Sequence, residues 1–199
     1  MRTVVPDRSK GIAVKLNTAN ILTLIRIAAI PVVVICFYSS LPYARPIAGI
    51  VFGVAAITDL IDGYVARRFG QVSRFGEFLD PVADKLMVAI VMVLLVQQDP
   101  DWYVDIIAII IIGREITVSA LREWMATIGE RANVAVSWGG KIKTTLQMFG
   151  IAFMVYEEPL FGIDIYPVGF LLLLAAVGMT IWSMFIYLRA AWPAMQHDG

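Results

Sequence analysis

Residues 58–86 read TDLIDGYVARRFGQVSRFGEFLDPVADKL, a charged stretch that carries four aspartates. It follows the uncharged run PIAGIVFGVAAI and precedes the apolar run MVAIVMVLLVQQ. The whole chain has 199 residues, a mean hydropathy of +0.78 and only 16% charged residues. Soluble domains contain about 25% charged residues, so this composition excludes an ordinary soluble fold and indicates a membrane protein.

Apolar segments recur along the chain, and a membrane-spanning helix needs about 20 mostly apolar residues. The alternating pattern of a transmembrane β-barrel is absent, so the backbone polar groups must be satisfied within helices. We therefore predict an all-α polytopic membrane domain over residues 17–192, with six transmembrane helices and a polar cavity that faces the cytoplasm. The predicted helices are 19–41, 44–68, 76–98, 102–124, 139–157 and 165–189.

Positive charge is concentrated on one predicted side of the membrane. If the N-terminal tail (1–16) is cytoplasmic, the loops 69–75 and 125–138 and the C-terminal tail (193–199) lie on the same side. Every Lys and Arg except Arg45 then falls on that side or in the adjoining halves of the helices. This asymmetry matches the positive-inside rule. Acidic residues are expected at the outer face, namely Asp99, Asp101, Asp105, Glu157, Glu158 and Asp164.

The single cysteine and the single histidine exclude several classes of chemistry. Cys36 is the only cysteine, so the chain has no intramolecular disulfide. His197, the only histidine, lies in the predicted C-terminal tail, which argues against histidine acid–base catalysis and most zinc sites. The chain also has no P-loop glycine motif and no convincing signal-peptide cleavage site.

The four aspartates of the opening stretch are spaced to share helix faces. Asp59 and Asp62 are three residues apart, and Asp80 and Asp84 are four residues apart, so each pair lies on one side of a helix. The connection 69–75 allows the two helices to run antiparallel. We therefore expect the four carboxylates to converge near the cytoplasmic end of a helix pair.

Such a cluster must be neutralised, because each unpaired acid near mid-membrane costs about 2.5–3.5 kcal/mol. Ion pairs with Arg67, Arg68 and Lys85 are one explanation. Two divalent cations are the other, since carboxylate oxygens suit Mg²⁺ or Mn²⁺ and paired ions assist phosphoryl displacement. The small residues Gly63 and Ala66 beside the acids let a bulky ligand approach the helix, which favours the metal interpretation.

The spacing of the acids carries a family resemblance. Eight fixed positions match the signature of the CDP-alcohol phosphatidyltransferase family: Asp59-x2-Asp62-Gly63-x2-Ala66-Arg67-x8-Gly76-x3-Asp80-x3-Asp84. The stretches NTANILTLIRI, GREITVSALREWMA and VAVSWGGKIKTTLQM resemble bacterial members that use glycerol 3-phosphate, so the resemblance covers most of the chain. It implies an enzyme of the bacterial cytoplasmic membrane, usually a homodimer. The implied reaction transfers the phosphatidyl group of CDP-diacylglycerol to glycerol 3-phosphate and releases CMP, with no nucleic-acid partner.

The resemblance also assigns roles, position by position. Asp59, Asp62 and Asp80 would hold two Mg²⁺ or Mn²⁺ ions per active site, while Asp84 would contact a metal ion and act as the general base. The residues expected to bind CDP-diacylglycerol are Gly63, Ala66, Arg67, Ser73, Gly76, Asn20 and Thr23.

A phosphorylated acceptor requires further cations. The candidates for binding its phosphate are Arg114, Arg122, Lys141 and Lys143, because Arg offers a bidentate fork and Lys a point charge. Pairing of Arg114 with Glu115 and of Arg122 with Glu123 would explain the arginines without a ligand. The lysines could equally anchor a cytoplasmic helix end.

Other functions remain open from the sequence. The same family signature occurs with other acceptors, such as inositol phosphate, serine or phosphatidylglycerol. From a different class, an ion or proton transporter would explain intramembrane acids, and a structural subunit would explain the helices. A transporter leaves the fixed spacing of acids and small residues unexplained, and the chain lacks the paired repeats of many transporters.

Overall fold

The computed structural model describes residues 18–69, 74–127 and 138–197. Within these ranges the chain forms six α-helices and no β-strand, which confirms the all-helical prediction for the described part. The helices are α1 (Thr18–Tyr38), α2 (Ala44–Phe69), α3 (Arg74–Gln98), α4 (Trp102–Thr127), α5 (Trp138–Tyr156) and α6 (Tyr166–His197). The predicted N-terminal tail, 1–16, lies outside the described residues.

The helix bounds follow the predicted segments, with the largest difference at the end of α6 and smaller differences at the ends of α1 and α4. α1 ends at Tyr38 rather than at residue 41. The Ser39 hydroxyl accepts a hydrogen bond from the Leu41 backbone N–H, a local contact that competes with helix, and Pro42 disfavours helical backbone at Leu41. α6 extends to His197 rather than ending at 189. The prediction stopped at the charged Arg189, but arginine is a good helix former and does not end a helix.

The surface of the helical bundle is strongly apolar. Ile35, Ile109, Leu171 and Phe185 are each more than 60% exposed, which is typical of side chains that face lipid rather than water. The windows Ile21–Tyr38 and Tyr166–Ile186 are long and apolar enough to cross a membrane. These features support a membrane protein, while the six individual spans stay a prediction.

Residues from all six helices form one hydrophobic core, and glycines set the closest helix contacts. A Cβ at Gly150 of α5 would lie 2.9 Å from the carbonyl oxygen of Gly169, and one at Gly169 would lie 2.8 Å from that of Gly150. Gly49 of α2 is similarly close to the backbone of Tyr156. Small residues of this kind let membrane helices approach closely, which fixes α5 against both α2 and α6.

Polar side chains gather at the two ends of the bundle. One end, called the site end below, contains the start of α1, α3 and α5 with the last part of α2 and α4. Its polar residues include Arg26, Asp59, Asp84, Arg114 and Lys143. The opposite end contains Arg45, Asp99, Glu157, Asp164 and Tyr166.

Candidate active site

Asp59 of α2 and Asp84 of α3 approach each other because both carboxylates contact the guanidinium group of Arg26. Arg26 Nη2 lies 2.8 Å from Asp59 Oδ1, and Nη1 lies 2.7 Å from Asp84 Oδ1. The Arg26 side chain is only 4% exposed, whereas the two acids are 27% and 31% exposed. The structure therefore brings together two of the four aspartates that the sequence predicts as metal ligands.

A third predicted metal ligand, Asp80, is contacted by a residue of α1, the helix that also contains Arg26. The Thr23 hydroxyl donates a hydrogen bond to Asp80 Oδ1, and Thr23 is 2% exposed. Thr23 and Arg26 are three residues apart on α1, so they share one helix face. That face contacts acids from both α2 and α3.

Arg26 contacts the acids but was not predicted as a site residue from the sequence. The sequence did contain a signal, because Arg26 is a lone charge inside the apolar run ILTLIRIAAI, and an intramembrane charge needs a partner. The ion-pair explanation named Arg67, Arg68 and Lys85 instead. The structure does not describe the side chains of Arg67 and Arg68, and Lys85 lines the neighbouring cavity.

Several predicted site residues lie beyond what the structure describes. For one group it gives the helical backbone but not the side-chain surroundings: Asn20, Asp62, Gly63, Ala66, Arg67 and Lys141. Ser73 falls outside the described residues, and Gly76 is buried near the start of α3. The positions of these residues relative to a ligand therefore stay predictions.

The donor set suits a hard divalent cation. Asp59 and Asp84 each use Oδ1 to accept from Arg26, which leaves Oδ2 of each carboxylate for another ligand. Carboxylate oxygens are the donors that Mg²⁺ and Mn²⁺ prefer. Among the described side chains, no three Asp, Glu, His or Cys residues already form a metal-binding group. The Asp62 side chain is not among those described.

A cavity of about 330 Å³ opens beside the acids, between α3, α4 and α5. This volume is at the lower end of the range of about 300–1,000 Å³ for small-molecule sites. Its charged lining residues are Asp80, Asp84, Lys85, Arg114, Glu115, Arg122 and Lys143. Two predicted metal ligands and three predicted acceptor cations therefore line the same cavity, although they were inferred separately: Asp80, Asp84, Arg114, Arg122 and Lys143.

Arg114 pairs with its neighbour and still lines this cavity. Arg114 Nη1 contacts Glu115 Oε1, as the explanation without a ligand expected. The Arg114 side chain is only 10% exposed, and its Nε is buried without a hydrogen-bond partner among the described residues. Lys143 of α5 is almost fully buried and lines the same cavity, as does the exposed Arg122. The ion pair with Glu115 is therefore compatible with a role for Arg114 in binding a ligand in this cavity.

Two further cavity residues were not singled out from the sequence. Thr144 and Gln147 of α5 also line the cavity, and Gln147 is 3% exposed. Gln147 is four residues after Lys143, so both lie on one face of α5. The four-residue spacing from Lys143 was the available signal for Gln147. A neutral amide in an apolar helix does not by itself indicate a ligand-binding residue.

Comparisons with known proteins cover the part of the chain that contains these residues. The family model for CDP-alcohol phosphatidyltransferase matches residues 16–182, which include all the described site residues. Curated relatives from Salmonella typhimurium, Shigella flexneri and Escherichia coli are each 47% identical over 175 residues. The match covers 88% of this chain and 94% of each relative. All three bear the name CDP-diacylglycerol–glycerol-3-phosphate 3-phosphatidyltransferase.

Proposed function

The chain belongs to the CDP-alcohol phosphatidyltransferase family, and from this premise we propose that it transfers a phosphatidyl group from CDP-diacylglycerol to glycerol 3-phosphate. The products are phosphatidylglycerophosphate and CMP, so the chain acts in phospholipid biosynthesis. The names of the curated relatives support this donor and this acceptor. Family membership removes the reason to consider a transporter or a structural subunit.

One observation supports this function best: acids and cations share a cavity. Asp80 and Asp84 lie on one wall, while Arg114 and Lys143 come from α4 and α5. The reaction needs both kinds of group. The acceptor's phosphate must be bound by cations, and its attacking hydroxyl must lose a proton to a carboxylate within reach.

In the proposed mechanism, the acceptor hydroxyl attacks the phosphorus that bears the diacylglycerol. Asp84 accepts the hydroxyl proton as the new phosphorus–oxygen bond forms, and the bond from that phosphorus to CMP breaks. A single in-line displacement is the simplest mechanism. Of the described cavity residues only Thr144 has a side-chain hydroxyl, and this hydroxyl donates to the Gly140 carbonyl at 2.9 Å. Thr144 is therefore engaged in its own helix rather than presented as a nucleophile.

Members of the family generally use a divalent metal ion. We assign its binding to Asp59, Asp62, Asp80 and Asp84, as two Mg²⁺ or Mn²⁺ ions per site. When bound, such ions offset the negative charge of the pyrophosphate and of departing CMP. The three described acids contribute oxygen donors only, in agreement with this choice of metal.

The nucleotide lipid is assigned to the α1, α2 and α3 side of the acids. Its proposed contacts are Gly63, Ala66, Arg67, Ser73, Gly76, Asn20 and Thr23. The contact between Thr23 and Asp80 supports this placement, because it puts the start of α1 next to the acids. The acceptor phosphate is assigned to the other side, with Arg114, Arg122, Lys141 and Lys143.

The proposed setting is the inner membrane of a bacterium, with six spans, both termini cytoplasmic and a homodimeric assembly. The distribution of charge supports this orientation, because Arg45 accompanies a group of acids at the opposite end, while the other described cavity cations lie at the site end. A cytoplasm-facing site also suits the chemistry. The donor is held in the lipid by its acyl chains, whereas the acceptor arrives from water.

The experiment that tests this function measures CMP release by the purified protein. CDP-diacylglycerol and Mg²⁺ or Mn²⁺ would be supplied with one acceptor at a time: glycerol 3-phosphate, inositol phosphate, serine or phosphatidylglycerol. We expect release with glycerol 3-phosphate and its loss on chelation of the metal. Release only with another acceptor would overturn the acceptor assignment. Release that does not depend on any acceptor would overturn the transfer reaction.

A further inference from the structure

We propose that Arg26 and Thr23 of α1 are positioning residues. They fix the orientation of the metal-binding carboxylates of α2 and α3 by donating hydrogen bonds to them. The inference rests on the proposed function, since it takes Asp59, Asp80 and Asp84 as metal ligands. It adds a layer of residues that the family signature between residues 59 and 84 does not include. In this role both residues act through the acids. For Thr23 the role is separate from its proposed contact with the nucleotide lipid, and it is tested below without lipid.

The first support is the way in which Arg26 joins two helices. Its two terminal nitrogens lie 2.8 and 2.7 Å from one oxygen each of Asp59 and Asp84. A planar guanidinium group has donors in a fixed fork, so it sets the separation of the two carboxylates as well as neutralising charge. The second oxygen of each carboxylate remains for a cation.

The second support is the order of burial. Arg26 and Thr23 are 3% and 2% exposed and do not line the cavity, whereas Asp80 and Asp84 do. Asp80 and Asp84 therefore lie between the α1 donors and the cavity. This is the arrangement of outer residues around a metal site, where groups behind the ligands fix their orientation.

The third support is Thr23, because charge neutralisation does not account for it. Its hydroxyl is neutral, yet it donates to Asp80 just as Arg26 donates to Asp59 and Asp84. Both donors lie on one face of α1. This face of α1 therefore donates hydrogen bonds to three acids from two other helices. A role in orienting the carboxylates explains all three contacts, whereas charge neutralisation explains only those of Arg26.

The test is a Mn²⁺ titration of the full-length protein in detergent, with free Mn²⁺ followed by electron paramagnetic resonance. Arg26→Lys keeps the charge but loses the fork, and Thr23→Val keeps the shape but loses the hydroxyl. We expect the Mn²⁺ dissociation constant to rise about 10- to 100-fold for Arg26→Lys, as for other outer residues of metal sites. A smaller increase is expected for Thr23→Val, and Thr23→Ser should restore wild-type affinity.

The matched control is Arg45→Gln, which removes the ion pair of a mostly buried arginine with the exposed Glu157 at the opposite end and should leave Mn²⁺ affinity unchanged. Unchanged or tighter Mn²⁺ binding by Arg26→Lys and Thr23→Val would overturn the inference. If the Arg26 variant does not fold, as judged by gel filtration and circular dichroism, the comparison of Thr23→Val with Thr23→Ser decides. If the wild-type protein takes up no Mn²⁺, the proposed metal site is wrong and the inference falls with it.

Discussion

The two ends of the helical bundle have similar components but different arrangements. Each end has a largely buried arginine, several acids and a cavity, of about 330 Å³ at the site end and about 310 Å³ at the opposite end. At the site end, Arg26 contacts two acids from two different helices. At the opposite end, Arg45 contacts Glu157 at 3.1 Å, a backbone carbonyl at 3.3 Å and the Phe37 ring at 4.2 Å.

The difference indicates which end needs a ligand. At the opposite end the acids serve local structure, since Tyr166 donates its hydroxyl to Asp99 and its backbone N–H to Asp164. These contacts join the connections between helices. At the site end α1 contacts three acids, and two of them, Asp80 and Asp84, line a cavity that also contains arginine and lysine side chains. An arrangement of that kind is suited to a charged substrate.

The largest expected effect comes from Asp84→Asn. The change removes the proposed proton acceptor, so kcat should fall by roughly 100- to 10,000-fold. Mn²⁺ uptake should be largely kept, because asparagine keeps a side-chain oxygen at this position and three other acids remain. CMP release and a Mn²⁺ titration measure the two quantities. Asp99→Asn at the opposite end is the control with near-normal turnover, and retained activity in Asp84→Asn would reject the general-base role.

The next largest effect is expected for Arg114→Ala. A hydrogen bond to a charged group is worth about 1.5–3 kcal/mol, so the KM for glycerol 3-phosphate should rise about 10- to 100-fold. The KM for CDP-diacylglycerol should change less, since the donor is assigned to the other side of the acids. Steady-state kinetics with each substrate varied would measure the difference. Equal effects on both substrates would contradict the assignment of Arg114.

A smaller effect, on stability rather than on rate, is expected for Arg45→Gln. Glu157 is 54% exposed, so the ion pair and the contact with the Phe37 ring together contribute about 1 kcal/mol. The midpoint of thermal unfolding should fall by about 2–4 °C, with unchanged kinetic constants. Loss of turnover at an unchanged melting temperature would place part of the catalytic machinery at the opposite end.

The smallest effect is expected for Tyr166→Phe, which removes only the hydroxyl that donates to Asp99. One neutral hydrogen-bond donor at a half-buried position contributes about 0.5 kcal/mol, the lower end of the usual range, so a small decrease in thermal stability should be the sole consequence. Thermal unfolding and CMP release would be measured on the same preparation. A change in substrate affinity larger than that of Arg114→Ala would reverse the functional order of the two ends.

The helices could be predicted because their signals are local. Apolar runs separated by turn residues such as Pro42 and Pro100 mark the ends of α1 and α3. The grouping of Asp80 and Asp84 followed from helix periodicity alone. The identity of the reaction and the roles of single residues required the family resemblance, because spacing does not distinguish a general base from a metal ligand.

The pairing of the site residues could not be predicted from local signals. Arg26 is 58 residues away from Asp84 along the chain, and the sequence shows only that an arginine lies in an apolar run. The cavity that Asp80 and Asp84 share with Arg114 and Lys143 could not be predicted for the same reason. Arg114 and Lys143 are on different helices, and their approach to Asp80 depends on how α4 and α5 pack against α3, which is a property of the fold.

The most direct test of the account is whether one cavity holds both the metal ion and the acceptor phosphate. Mn²⁺ would be added in smaller amount than the protein, so that nearly all of it is bound, and the ³¹P resonance of glycerol 3-phosphate would be recorded. We expect strong paramagnetic broadening with the wild-type protein and much weaker broadening with Lys143→Met. Bound Mn²⁺ that leaves the phosphate resonance of the wild-type sample unchanged would contradict a single shared site.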